Sequence, residues 1–231
     1  MKRPISLALT ALVAFFSALA ALAVSGGHPA HAHGLTADHH HHATAQSHRT
    51  ITAKELRLRN DMRKLWEDHV TWTRLAVISL VDGSPDTNAT VTRLLRNQQD
   101  IGNAIKPFYG NAAGDALAEK LREHILIAAD LIAAAKAGDQ DKLAAEQQRW
   151  RQNAREIATF LSRANPRHWK RAELTAMLFE HLRLTTAEAV ARLQGDWTAD
   201  VTSYDRIHLH ALGMADALST GIVKQFPRRF R

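Results

Sequence analysis

One interval constrains this chain more than any other: a histidine followed fourteen residues later by a glycine, three times over. His69 precedes Gly83, His124 precedes Gly138 and His181 precedes Gly195, and each histidine follows an acid, Asp68, Glu123 or Glu180. The three histidines are 55 and 57 residues apart. A period of that length reads as one helix pair copied three times. Glycine tolerates the left-handed backbone that ends a helix, so each histidine is expected about four turns before a hairpin turn.

Apolar residues three and four apart fill in the helices. The first starts at the capping box Thr52–Glu55 and carries Leu58, Met62, Leu65, Trp72, Ala76 and Leu80. Ser84 and Pro85 read as the cap and first turn of the second, which holds Leu94, Asn97 and Ile101 and is expected to end at Pro107. Asn111 reads as the cap of the third helix and Asp139 as the cap of the fourth, which ends before Asn165-Pro166. The fifth is expected from near Trp169, and Asp196 caps the sixth, which stops before Pro227. No strand-like alternation competes with this pattern. The expected fold is all-α: six helices as three αα-hairpin repeats, in a bundle closed around a pseudo-threefold polar interior. An open solenoid of three pairs is the alternative.

Polar side chains on the inward stripes are the candidate site. His69, His124 and His181 occupy equivalent places in the first helix of each pair. The second helices carry polar residues three apart: Asn97 and Asp100, Asn153 and Glu156, Asp205 and His208. Buried polar groups cost a few kcal/mol unless partnered, so these are expected to converge. One reading is a hydrogen-bonded network that fixes packing. The other is a mononuclear zinc, copper, nickel or manganese site built from His69, His124, His181 and His208 with Asp100, Glu156 or Asp205. A di-iron centre fits less well: Asp205-Arg-Ile-His208 has the acid-x-x-His spacing once, and that chemistry needs it twice.

The ends suggest a compartment. Lys2-Arg3, the uncharged apolar run Ile5–Val24 and Ala30-His31-Ala32 read as a signal peptide over residues 1–32, with an uncleaved membrane anchor as the alternative. The chain has no cysteine, so no disulfide framework supports it after export. Residues 33–50 form a His-rich linker that includes His39-His40-His41-His42, a tract able to bind zinc, nickel or copper. The helical domain is expected over 51–227 and a basic tail over 228–231. The formal charge of +7 is spread along the helices without an aromatic-rich basic patch, which speaks against nucleic acid as a partner. The expected location is periplasmic or extracellular, with membrane contact only through the N-terminal segment.

No glycine-rich phosphate loop, nucleophile elbow or HExxH motif is present. An enzyme is therefore the weaker reading, behind an exported metal-binding or metal-responsive protein and a non-enzymatic scaffold. The block Leu58-Arg-Asn-Asp-Met-Arg-Lys-Leu-Trp-Glu-Asp-His-Val-Thr-Trp-Thr-Arg74, together with Glu123-His124 and Tyr204-Asp-Arg-Ile-His208, resembles a family of small helical bacterial proteins. That resemblance implies a helical fold with histidine-centred blocks. Some members carry glycosyltransferase or acetylglutamate kinase labels. Those activities need strands and a nucleotide site that these residues do not supply.

Overall fold

The computed structural model describes residues 50–231. The expected leader and the His-rich linker up to residue 49 lie outside the described residues. The compact unit Thr52–Arg231 is an all-α bundle. Its helices are α1 (Ala53–Asp82), α2 (Thr87–Tyr109), α3 (Asn111–Ala137), α4 (Gln140–Ala164), α5 (Arg171–Gln194) and α6 (Trp197–Gln225), followed by a 3-10 turn, Pro227–Phe230. No strand occurs among the described residues, and no helix there is long and apolar enough to cross a membrane.

Local chemistry sets most helix ends. Gly83, Gly138 and Gly195 adopt φ of 68°, 72° and 71°, and their amides turn back onto carbonyls of the last helical turn. Thr52, Asp139 and Asp196 accept the amides of Glu55, Lys142 and Ala199 at 3.0–3.2 Å. Four boundaries differ from the sequence reading. Ser84 does not cap α2, which begins at Thr87; the Ser84 carbonyl instead accepts the Thr87 hydroxyl at 2.6 Å. Pro107 lies inside α2, which runs on to Tyr109 and stops at Gly110. Asn111 is the first residue of α3 because Gly110, at φ 85°, takes the cap position. A turn in which the Asn165 carbonyl accepts the amides of His168 and Trp169 delays α5 to Arg171.

Each helix packs against the next in sequence, and α6 packs against α1. α1 also touches α3 and α5, so the three histidine-bearing helices are neighbours. The α2–α3 crossing is very close: a Cβ on Gly102 would strike the Gly114 carbonyl and come within 2.8 Å of the Ala118 methyl. Met62, Trp66, Ile101, Ile157, Trp169 and Met214 help to line an internal void of about 20 Å³.

The segment read as a basic tail is folded onto this unit. Phe230 is buried and stacks on Phe108 at 5.9 Å between ring centroids. Thr52 Oγ1 donates to the Phe230 carbonyl at 2.7 Å, and Lys54 Nζ to that of Arg231 at 2.9 Å. The two ends of the compact unit therefore lie side by side.

Candidate functional site

A histidine four turns from its hairpin turn stands at mid-height on α1, α3 and α5, facing inward. His69, His124 and His181 are only 3–4 % exposed. His181 lies between the other two, its ring centroid 5.7 Å from that of His69 and 5.8 Å from that of His124. Indoles flank the group: Trp66 meets His69 edge-on at 5.6 Å, and Trp150 lies 5.2 Å from His124.

One bond recurs in every helix pair. Asn97 Nδ2 on α2 donates to the carbonyl of Leu65 at 3.0 Å, four residues before His69. Asn153 Nδ2 on α4 donates to Lys120 at 3.1 Å, four residues before His124. On α6 the same place is taken by His210, whose Nε2 donates to Met177 at 3.0 Å, four residues before His181. The donors are 56 and 57 residues apart, within one residue of the 55 and 57 that separate the histidines they face.

The rings find different partners. His124 Nδ1 donates to Asn153 Oδ1 at 2.9 Å, which leaves Nε2 as the bare nitrogen of the neutral ring. His69 Nδ1 accepts from Gln98 Nε2 at 3.2 Å, so its proton sits on Nε2. His181 Nδ1 is buried and has no hydrogen-bond partner. Burial holds all three rings neutral. It lowers His69 to about 3 and His124 to about 4, and it takes His181 well below its usual value; neighbouring imidazoles add to the effect at His69 and His181.

The carboxylates and the fourth imidazole expected around these rings lie elsewhere. Asp100 and Glu156 sit three residues beyond Asn97 and Asn153, about 60° off the inward direction of their helices. Both are half-buried, and Glu156 pairs with Lys120 at 3.6 Å. Asp205 is exposed. His208 stacks on Tyr204 and contacts Glu67 at 3.4 Å. The inward residue of α6 is His210, two positions further on, and a shift of two turns a helix by about 200°. The spacing of Asp205 and His208 had put the inward position of α6 two residues early.

This donor set suits hydrogen bonding better than ligation. Two of the three Nδ1 atoms are engaged, one Nε2 carries a proton, and no carboxylate joins the layer. Among the described residues no three histidine, aspartate or glutamate side chains are grouped as a metal ion would need.

A second buried polar group escaped the sequence reading. Arg74 on α1 donates to Glu188 on α5 and to Asp200 on α6, both at 2.8 Å. Glu188 and Asp200 are 1 % and 2 % exposed. Arg192 lies 3.6 Å from Asp200 and also bonds Asp82, while the Tyr204 ring lies 4.8 Å from the Arg74 guanidinium carbon. Burial pushes Glu188 up to about 7 despite the adjacent Arg74. The partners are 114 and 126 residues apart in sequence. The one local signal is an acid amid small apolar residues at Ala187-Glu188-Ala189, facing the core.

Comparison with family models, curated proteins and solved structures finds no match to this chain.

Proposed function

We propose that the domain is a non-enzymatic scaffold: three copies of one helix pair closed by α6 against α1, with the histidine layer serving as a hydrogen-bond network that fixes helix register. The observation that carries this reading is the recurring bond from Asn97, Asn153 and His210 to the carbonyl four residues before the facing histidine. A side chain that satisfies a helix carbonyl on its neighbour sets the height of one helix against the other. The rings are buried, and they meet carboxamides and backbone carbonyls rather than carboxylates. The leader sequence supports export, so the scaffold would work in the periplasm or outside the cell.

A metal-binding or metal-responsive role is the second reading. The unpartnered Nδ1 of His181 favours it, as does the histidine tract at positions 39–42. Elemental analysis and thermal unfolding of the full chain, purified without a tag or chelating resin, separate the two. The scaffold reading expects well under one metal ion per chain and the same Tm with and without chelator. His124→Ala should then lower stability by about 2–4 kcal/mol in both conditions, because it opens a void and leaves Asn153 Oδ1 unpaired. About one ion per chain, with a Tm that falls on chelation, would overturn the scaffold in favour of the metal.

A further inference from the structure

The two ends of the bundle carry opposite charge. Successive helices run antiparallel, so the turns at Gly83, Gly138 and Gly195 share one end, tied by bonds from Lys136 to the Leu80 carbonyl and from Arg192 to Asp82. The other end holds the turns at Gly110 and Asn165 together with Thr52 and the C-terminus, tied by bonds from Asn165 to the Gly221 carbonyl, Tyr109 to Gln225 and Arg229 to the Pro107 carbonyl. At the Gly83 end, residues 78–89, 133–145 and 190–201 hold six acids and three cations. At the other, residues 51–59, 104–117, 160–173 and 220–231 hold twelve Lys and Arg against three acids. Along the sequence these cations are spread; the fold gathers them. Ten of the twelve are exposed, so the charge faces solvent. Of the acids, Glu55 is buried against Arg59 at 2.9 Å and Asp115 pairs with Lys106 at 2.7 Å, which leaves Glu173 and the C-terminal carboxylate to oppose the rest. Arg167, His168, Lys170 and Lys224 also line an open cleft of about 510 Å³ between the α4–α5 turn and α6, with Glu173 and with Asp216, which Arg63 holds. Two large apolar side chains stand exposed on the same end: Ile51 at 53 % and Leu56 at 51 %.

We propose that this basic end is a docking platform for an anionic lipid surface, its cations meeting headgroup phosphates while Ile51 and Leu56 enter the boundary between headgroups and acyl chains. Lipid suits the face better than nucleic acid does. Phe108, Phe226 and Phe230 are stacked on one another, and Arg229 covers the first two, so these rings are not offered to a base. The apolar groups that do reach solvent there are aliphatic. The chain also enters the unit at this end, at Thr52, so the apolar run Ile5–Val24 is joined to the basic end and not to the acidic one. Each Lys or Arg brought to an anionic bilayer is worth about fivefold in affinity, and the gain fades beyond a screening length of about 8 Å at physiological salt. The acidic end is repelled by the same surface, which fixes the orientation of the bundle on it. The platform stands whether the histidine layer is a hydrogen-bond network or a metal seat.

The chain has no cysteine, so a single introduced one carries an environment-sensitive dye at a chosen place. Ala53→Cys reports on the basic end of the full chain and Thr198→Cys on the acidic end; both sites are exposed. Each labelled chain is titrated with vesicles of phosphatidylcholine alone and with vesicles containing about 30 % phosphatidylglycerol, then again in about 0.5 M salt. The platform expects the dye at position 53 to move to a less polar environment with anionic vesicles only, the dye at 198 to stay in water, and the response to fade in high salt. Reversing three exposed cations together, Arg57→Glu, Arg171→Glu and Lys224→Glu, should remove about 100-fold of the affinity that anionic lipid adds, with helical circular dichroism unchanged. Equal response to the two kinds of vesicle, equal response of the two dyes, or full anionic-lipid affinity in the triple variant would overturn the platform and leave the apolar leader as the membrane contact. A stronger response at position 53 to an oligonucleotide or to inorganic phosphate than to vesicles would overturn it in favour of a soluble anion. If the triple variant does not fold, the lipid and salt dependence of the two dyes decides alone.

Discussion

The bundle buries polar groups in two ways, in two places that share helices α1 and α5. The imidazole layer is neutral, uses carboxamides and backbone carbonyls as partners, and recurs in each helix pair. The Arg74–Glu188–Asp200 group keeps charge, occurs once, and joins α1 to α5 and α6. The polar contacts between α1 and α6 extend along both helices: Arg63 grips Asp216 through two bonds, Arg59 donates to the Thr220 hydroxyl, and Glu67 meets His208. Where α2 meets α3, a close crossing of Gly102 and Gly114 accompanies a single ion pair, Lys106 with Asp115 at 2.7 Å. Adjacent helices inherit their register from a short turn. The first and last helices have no such tether, and directional charge pairs supply the register that the chain does not.

That contrast is broken most directly at Arg74. Arg74→Met keeps much of the side-chain length and removes the cation that bonds both buried acids. It should cost about 3–5 kcal/mol in urea unfolding at pH 7, the usual result of orphaning buried charge. A loss below about 1 kcal/mol would mean that Arg192 or solvent takes over, and that the α1–α6 contact does not depend on this group.

The two groups also respond to pH with opposite signs. His69 and His124 are lowered from 6.5 to about 3 and about 4 in the folded chain. Between pH 6.5 and those values the unfolded chain binds more protons, so stability falls as pH falls through this window. Glu188 is raised from 4.5 to about 7. Between pH 4.5 and 7 the folded chain binds the extra proton, so this group loses stability as pH rises. From pH 7 to 5 each buried histidine should cost about 2 kcal/mol and Glu188 should return about as much, leaving a net loss on the order of 3–4 kcal/mol. Urea midpoints at pH 7, 6 and 5 check this. Flat or rising midpoints would show that the histidine layer is not held neutral.

What was legible in the sequence was what is local. Gly83, Gly138 and Gly195 announce the hairpin turns because left-handed backbone is costly for other residues. The histidine spacing placed three rings at the same distance from those turns. The partners on the second helices were legible for Asn97 and Asn153, whose residue type repeats. They were lost on α6, where histidine replaces asparagine and the nearby Asp205 and His208 mimic the acid-and-histidine spacing of a metal site. His210 is recovered by counting 57 residues from Asn153. The Arg74 group was not legible, because its bonds span 114 and 126 residues and no periodic signal ties an arginine on α1 to acids on α5 and α6. Phe230 is similar: a short basic run gives no hint that one ring within it stacks on Phe108.

The smallest expected effect sharpens the comparison furthest. Glu188→Gln keeps the shape of the side chain and removes its charge. Glutamine retains a carbonyl oxygen where Arg74 Nη1 now donates at 2.8 Å, and Asp200 still pairs with the same guanidinium. The lost Coulomb attraction is offset by the burial cost that now pushes Glu188 up to about 7. At pH 8 the variant should lie within about 1 kcal/mol of the parent, on the stable side if burial outweighs pairing. Its acid response should steepen, because the gain in stability that Glu188 supplies from pH 7 to 5 is gone while the three histidines remain. A loss of more than about 2 kcal/mol at pH 8 would instead mean that Glu188 is an ionised partner whose charge Arg74 requires. A variant with the parent's pH slope would mean that Glu188 does not titrate in this range at all. In either case the opposed pH responses of the imidazole layer and the charged group would have to be abandoned.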